Sequence, residues 1–243
     1  MHWRRSWPVA LILLLAAALA MALGAAGDEL DRGPGTSRVG AAIGLDARPA
    51  GIEPSTSGCP AQWPIRWRRS RAVGLPYDGR LVRGVKLPCE GRDFFTWDPI
   101  LRRSPDRWWR RFGTRFLVRK LLRVARSFRQ SHRTAPRLAI GDLSRPRGGD
   151  FGIRFGPPGH ASHQNGLDVD VYYPWLDRAE IAAASVAEID LRLAQQLVDR
   201  FVSAGAEYVF VGPNTGLRGP PEIVQALDHH DNHLHVRFYN PGA

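Results

Sequence analysis

Cysteine is almost absent from this 243-residue chain: Cys59 and Cys89 are the only two. No CxxC pair exists, which excludes a zinc ribbon, a site that needs four ligands at short spacing. Outside the cytosol an isolated even pair forms a disulfide more often than it stays as two thiols, so these cysteines read as structural residues or unpaired spectators. Acidic residues are also in deficit, 23 against 34 Lys+Arg, for a formal charge of +11. That imbalance admits nucleic acid, anionic lipid or cell-wall polymer as partner and does not choose among them. What is present, 44% hydrophobic, 23% charged and 9% aromatic residues, is the balance of a folded globular protein, so wholesale disorder and fibrous repeats are excluded. The length suits one well-buried domain with appendages and is too short for two full-sized catalytic domains.

The N-terminus selects a compartment. Arg4 and Arg5 precede an apolar run over residues 9–23, then the small residues Gly24, Ala25, Ala26 and Gly27, the pattern of a secretory signal peptide cleaved after Gly24 or Ala26. An uncleaved anchor is the alternative, since the run to Ala26 approaches the length of a membrane span. Either way residues 1–26 imply export, periplasmic or at the cell wall, and export argues against nucleic acid. Residues 27–62 are rich in Gly, Pro, Ser, Thr and Ala without an apolar period and read as a flexible linker. The folded domain is expected over 63–243.

Within it, turn signals at Gly74, Pro76, Asp78-Gly79 and Pro88 separate short strand-like runs such as 80–87. Between residues 107 and 133, Trp109, Phe112, Leu117, Leu121, Val124 and Phe128 recur at steps of three to five, which predicts a long helix with one core face. Nine arginines and Lys120 lie in that stretch with no acid: a solvated face, or a docking surface for anionic wall polymers or lipid headgroups. Short strands are expected at 137–141, 167–173, 208–211 and 233–239. A helix is expected over 190–204, with Asp190 as N-cap and Gly205 beyond its end, and a short helix over 221–227. Strands and helices without a regular βαβ rhythm indicate an α+β domain with a small, largely antiparallel sheet flanked by helices.

Six of the eight histidines fall in two clusters, His160 and His163, then His229, His230, His233 and His235. In an extended segment His233 and His235 project from one face while Leu234, Val236 and Phe238 point the other way. Asp168 and Asp170 likewise share the polar face of their strand, and His163 sits in a Gly-containing turn seven residues before Asp170. His163, Asp170 and His235 are therefore the expected metal ligands. Two imidazoles and a carboxylate are ligands that suit zinc in catalytic sites, where a fourth position stays open to water. Zinc-bound water has its pKa lowered toward about 7, and the ion polarises the attacked carbonyl. His233 and His230 are the candidates for proton transfer and for stabilising the tetrahedral intermediate. His160 is an additional ligand or an outer group. Asp168 is a substrate contact, an orienting partner for a ligand imidazole, or a satisfied polar residue. Arg237, on the face of His233 and His235, binds a substrate carboxylate or pairs with an Asp near the metal. His229 reads as incidental.

The segments GDLSRPRGGDFG, GHASHQNGLDVDVYYP and HHDNHLHVRF resemble the penicillin-insensitive murein endopeptidases, within the wider metallopeptidase group of lysostaphin, the D-Ala-D-Ala peptidases and the Hedgehog signalling domain. SRAVGLPYDGRLVRGVKLP resembles the family's opening segment, so the similarity runs over residues 70–240. The resemblance implies a Hedgehog/DD-peptidase-like fold and one zinc ion on His163, Asp170 and His235. It also implies catalytic roles at His233 and His230 and places His160 in the surroundings of the site. The activity it implies is hydrolysis of peptide cross-links in peptidoglycan, between D-alanine and diaminopimelic acid. Arg147, with Arg145 and Arg154 in a basic loop near the zinc motif, is consistent with binding carboxylate-rich stem peptides. The alternatives are a zinc DD- or LD-carboxypeptidase that trims stem peptides, and a non-catalytic zinc module that binds cell wall.

Overall fold

The computed structural model describes Cys59 and residues 64–242, so the signal or anchor segment and nearly all of the linker lie outside the described residues. Arg71–Leu75 (β1) and Asp78–Val82 (β2) form an antiparallel hairpin with Leu75 opposite Asp78. Val85–Lys86 (β3) follows, and then Phe94–Thr96 (β4). Cys59 and Cys89 are joined in a disulfide.

The long helix expected over 107–133 begins later. Trp108–Arg110 is a single 3-10 turn, Phe112–Gly113 (β5) pairs with β3, and the helix proper is Arg115–Ser131 (α1). Two contacts explain the late start. Arg110 is drawn into the interior by Asp142, and Trp109 packs on Phe151 and Phe155 at 5.8 and 5.7 Å between ring centres instead of continuing the helical stripe. Thr114 then caps α1, its hydroxyl accepting from the Leu117 amide at 3.1 Å. Leu117, Leu121, Val124 and Phe128, spaced four, three and four, form the buried face. At about 1.5–3 kcal/mol for each fully buried apolar side chain, this stripe outweighs any propensity term in fixing the helix.

Leu138–Ile140 (β6) and Asp168–Tyr172 (β7) are separated by a loop, and Leu191–Ser203 (α2) opens on Asp190, whose carboxylate accepts from the Leu193 amide at 3.0 Å. Gly205 follows with φ +81°, a backbone that favours glycine. Ala206–Val211 (β8) comes next. The short helix expected over 221–227 is instead a turn, in which the Ile223 and Val224 amides reach the Pro220 carbonyl, followed by the edge strand Val224–Ala226 (β9). Pairing with β8 satisfies the β9 backbone as a helix would have, so the prolines mark a turn. His233–Phe238 (β10) ends the sheet.

The main sheet has six strands in the order β4-β6-β7-β10-β8-β9; its inner pairs are antiparallel and its two outer pairs parallel. The domain is thus α+β. Val169 and Val171 of β7, Val209 and Val211 of β8, and Leu234 and Val236 of β10 face α1 and α2, where Leu121, Phe128, Leu197 and Phe201 complete one apolar core. Because side chains alternate along a strand, the same geometry sends Asp168, Asp170, His233, His235 and Arg237 to the opposite face. Among the described residues no helix is long and apolar enough to cross a membrane.

Candidate metal centre

The antiparallel register of β7 and β10 sets His235 opposite Asp170, Arg237 opposite Asp168 and His233 opposite Tyr172. Residues directly opposite lie close enough for their side chains to meet, so the two central strands alone assemble most of a polar site. His163 arrives from the loop before β7 with φ +66°, a left-handed backbone that an ordinary residue adopts at a cost. That loop is clamped to residues 142–149. The Gly149 amide bonds the Gln164 carbonyl at 2.9 Å, and at Gly148 (φ +68°) a Cβ would come within 1.9 Å of the same oxygen, so only glycine fits.

Four imidazoles converge on the Asp170 carboxylate, which is 4% exposed. His163 Nε2 and His235 Nδ1 each lie 3.3 Å from Oδ1, His233 Nε2 lies 3.8 Å from it, and His160 Nδ1 lies 3.7 Å from Oδ2. His163 Nε2 and His235 Nδ1 are themselves 3.3 Å apart. The three donors expected from the sequence therefore form a near-equilateral triangle. A tetrahedral zinc ion with donors at about 2.0–2.2 Å separates neighbouring donors by about 3.3–3.6 Å, which this triangle matches.

Protonation strengthens the fit. His163 donates its Nδ1–H to the Leu143 carbonyl, and His235 donates Nε2–H to Asp168 Oδ1 at 2.9 Å, so in each ring the nitrogen turned to the site is the one left with a lone pair. Asp170 Oδ1 is buried with no hydrogen-bond partner among the described residues. Three lone-pair atoms facing one another in a buried space demand a cation or a proton. The demand shows in His235: burial disfavours its charge, yet Asp168 and Asp170 outweigh burial and push its pKa up to about 9. For Asp170 burial also opposes charge, and the surrounding histidines win, holding it well below the usual carboxylate range.

The remaining expected residues fall into place as follows. His160, His163 and Asp170 also form a group able to hold a metal ion, their ligand atoms lying within 4.8 Å of one another. His160 is at the same time tied by Nε2 to Asp142 at 2.7 Å and packed on Phe151 at 4.8 Å between ring centres. Asp168 is fully buried and accepts from both His235 and Arg237, the latter at 2.8 Å. Burial opposes its charge, but His235 and Arg237 hold its pKa at about 2. Arg237 is thus engaged through Nε with an acid beside the centre, the second of the two roles expected for it. His233 bonds Asn232 Oδ1 through Nδ1 at 2.7 Å, which turns Nε2 toward Asp170, and burial pushes its pKa down to about 4. His230 is half-buried, 4.8 Å from His233 between ring centres, with Nδ1 on the Asp228 carbonyl at 2.7 Å. Its turn is pinned by Tyr173, whose hydroxyl donates to the His230 carbonyl at 3.2 Å. His229 is exposed and takes no part. Arg147 is exposed and lines a cavity that contains none of these histidines, so it does not join the cluster.

Sequence reasoning passed over Asp142, Arg110, Asp106 and Asn232. Arg110 grips Asp142 through two guanidinium nitrogens and reaches the Phe155 carbonyl at 2.8 Å, so the carboxylate that holds His160 is itself held. Asp106, in a loose ion pair with Arg110 at 3.8 Å, is buried with neither oxygen hydrogen-bonded among the described residues, and burial raises its pKa well above the usual range. The GDL segment that contains Asp142 was visible in the sequence; its pairing with a residue 32 positions away was not.

Over residues 72–210 the chain matches the family described as penicillin-insensitive murein endopeptidase. It is similar to proteins of that name from Yersinia enterocolitica (31% identical over 102 residues, 42% of this chain and 32% of that protein) and from Haemophilus influenzae (27% over 122 residues, 50% of this chain and 37% of that protein). The aligned part is about a third of the length of each relative. The family match includes His160, His163, Asp168 and Asp170 and stops before β10.

Proposed function

The chain belongs to the penicillin-insensitive murein endopeptidase family, and from that premise we propose that it is an exported zinc metallo-endopeptidase that hydrolyses peptide cross-links of peptidoglycan, of the D-alanyl to diaminopimelyl type. The observation that carries the reading is the buried triangle of His163 Nε2, His235 Nδ1 and Asp170 Oδ1, with every edge 3.3 Å. These three residues would hold the zinc. When bound, the ion supplies Lewis acidity, polarising the scissile carbonyl and lowering the pKa of water toward about 7. The same reading places the fold in the wider Hedgehog and D-Ala-D-Ala peptidase group.

The chain's own residues supply the proton traffic. His233 is neutral at physiological pH because of burial, and its Nε2, on the side of Asp170, is in the proton-accepting form. It removes the proton from the attacking water and returns it to the departing amine. His230 has committed Nδ1–H to the Asp228 carbonyl, so its other nitrogen is an acceptor too; it stabilises an oxyanion only after taking up a proton. Asn232 fixes the His233 ring, and Asp168, braced by Arg237, fixes His235. Arg119, Arg123 and Arg126 leave an exposed cationic stripe on α1, which supports docking on an anionic wall polymer.

The test is mass spectrometry of purified cross-linked muropeptide dimers incubated with the protein, with chelator, with zinc restored, and with His233→Ala. Zinc-dependent conversion of dimers to monomers is expected. His233→Ala keeps the zinc and slows the conversion by about 10²–10⁴-fold. Intact dimers from a folded, zinc-loaded protein overturn the endopeptidase reading, and release of terminal D-alanine alone replaces it with a trimming enzyme.

A further inference from the structure

A cavity of about 1030 Å³ opens where β3 and β5 meet the loop at residues 142–149. None of the clustered histidines lines it. Eight of its lining side chains are cationic, and the single lining carboxylate, Glu90, is bound to Arg137 at 2.9 Å. Arg137 and Arg92 have carboxylate partners, in Glu180 and Asp93. The other six, Arg66, Arg68, Arg83, Lys86, Arg111 and Arg147, have no ion pair among the described residues.

Arg111 is the informative member. It is 7% exposed, its Nε is buried without an acceptor, and the only side-chain hydrogen bond it makes among the described residues is a long one, 3.3 Å, to the Leu87 carbonyl. A buried guanidinium with unfilled donors is costly unless an anion meets it. Lys86 lies one strand away, since Lys86 pairs with Phe112, and burial together with repulsion from Arg111 lowers its pKa. At the rim Arg83 holds a left-handed backbone, φ +54°, another departure that a side chain of its kind sustains at a cost. Concentrated positive charge in a walled space focuses the field on an anion, and guanidinium forks match phosphate oxygens in pairs.

We propose that this cavity is an anion site, separate from the His163–Asp170–His235 centre, that takes a multiply charged phosphate group, a pyrophosphate or phosphomonoester, on Arg111 and Lys86 with the rim arginines around it. Six cations without an ion pair among the described residues exceed what one carboxylate neutralises, which favours the multiply charged group. The volume leaves room for the organic part of the ligand, whether a soluble organophosphate or the headgroup of a lipid.

The test is titration of the full chain, freed of metal beforehand, with sodium pyrophosphate against sodium chloride at matched ionic strength, followed by calorimetry and thermal unfolding. Saturable one-site binding is expected, unchanged in His163→Ala. The exposed double variant Lys86→Gln/Arg147→Gln should weaken it by about tenfold or more. Arg111→Met should abolish it, with circular dichroism confirming that the variant folds. Absence of saturable binding, or equal binding by the double variant, overturns the proposal. Vesicles of phosphatidylglycerol and of phosphatidylcholine then separate the sources. Retention on the former that the double variant loses and pyrophosphate competes assigns a headgroup; retention equal in wild type and variant assigns a soluble anion.

Discussion

Asp168 offers the sharpest test of the centre, because it is fully buried and meets the expected ligands through its bond to His235. Its Oδ1 accepts from His235 Nε2 at 2.9 Å and from Arg237 Nε at 2.8 Å in a fully buried position. That bond selects the tautomer that leaves Nδ1 free for the ion, and the negative charge makes the imidazole a stronger donor. Asp168→Asn keeps the shape and an acceptor oxygen but removes the charge, so zinc affinity should fall by about tenfold; Asp168→Ala also frees the ring and strands Arg237, and the loss should approach about a hundredfold. These factors correspond to about 1.4 and 2.7 kcal/mol. The assay is a competition titration of zinc against a chromophoric chelator, with circular dichroism confirming that both variants fold. Muropeptide turnover at saturating zinc should recover far more in the Asn variant than in the Ala variant. Zinc affinity equal to wild type in both variants would refute the tautomer argument and with it the assignment of Nδ1 as ligand.

Three further outcomes follow from the fold. Glu180 binds Arg137 through both oxygens at 2.7–3.0 Å, and although burial opposes its charge, that pairing holds its pKa below the ordinary 4.5. A depressed carboxylate adds stability above its unfolded pKa and loses it as pH falls through the folded value. The stability gap between wild type and Glu180→Gln, about 1 kcal/mol at pH 7, should therefore begin to narrow as pH falls below about 4.5 in urea titrations; a gap that stays constant down through the acid range contradicts the pairing. Phe128→Ala, at a fully buried site on α1, should cost about 3–5 kcal/mol with little change in m-value, and a loss under 1 kcal/mol would show that α1 does not pack as described. Thr114→Ala should cost about 1 kcal/mol in thermal unfolding and Thr114→Ser almost nothing, since only the hydroxyl that meets the Leu117 amide is at stake.

The parts of the fold that were legible in the sequence are those in which the local signal and the tertiary contact agree. α2 shows this: Asp190, the apolar positions Leu193, Leu197 and Phe201, and Gly205 each do in the structure what their residue type favours locally. The start of α1 was misread because Trp109 and Phe112 fall by accident at helical spacing, while the forces that place them are an aromatic cluster with Phe151 and Phe155 and a strand pairing with Lys86. Residues 221–227 failed for a related reason. Prolines in a first turn suit a helix, but they suit a β-turn equally, and the choice is made by the open edge of β8, which no local pattern reveals.

The candidate site divides along the same line. Alternation along a strand was enough to put His233 with His235 and Asp168 with Asp170, because a period of two is a property of each segment alone. That His235 stands opposite Asp170, and not one pair along, is a matter of register, which the buried faces of both strands enforce: slipping β10 by one residue would drive His235 into the core and Leu234 into the polar site. The apolar residues between the histidines are therefore what aligns the ligands. The outer supports were not legible, since Arg110 to Asp142 and Asp142 to His160 span 32 and 18 residues and join loops whose paths only the folded chain defines. Their burial makes them as costly to disturb as the core itself: removing Arg110 leaves Asp142 charged, buried and short of a partner, so the damage reaches His160 and the centre through Asp142, which holds the His160 ring at 2.7 Å.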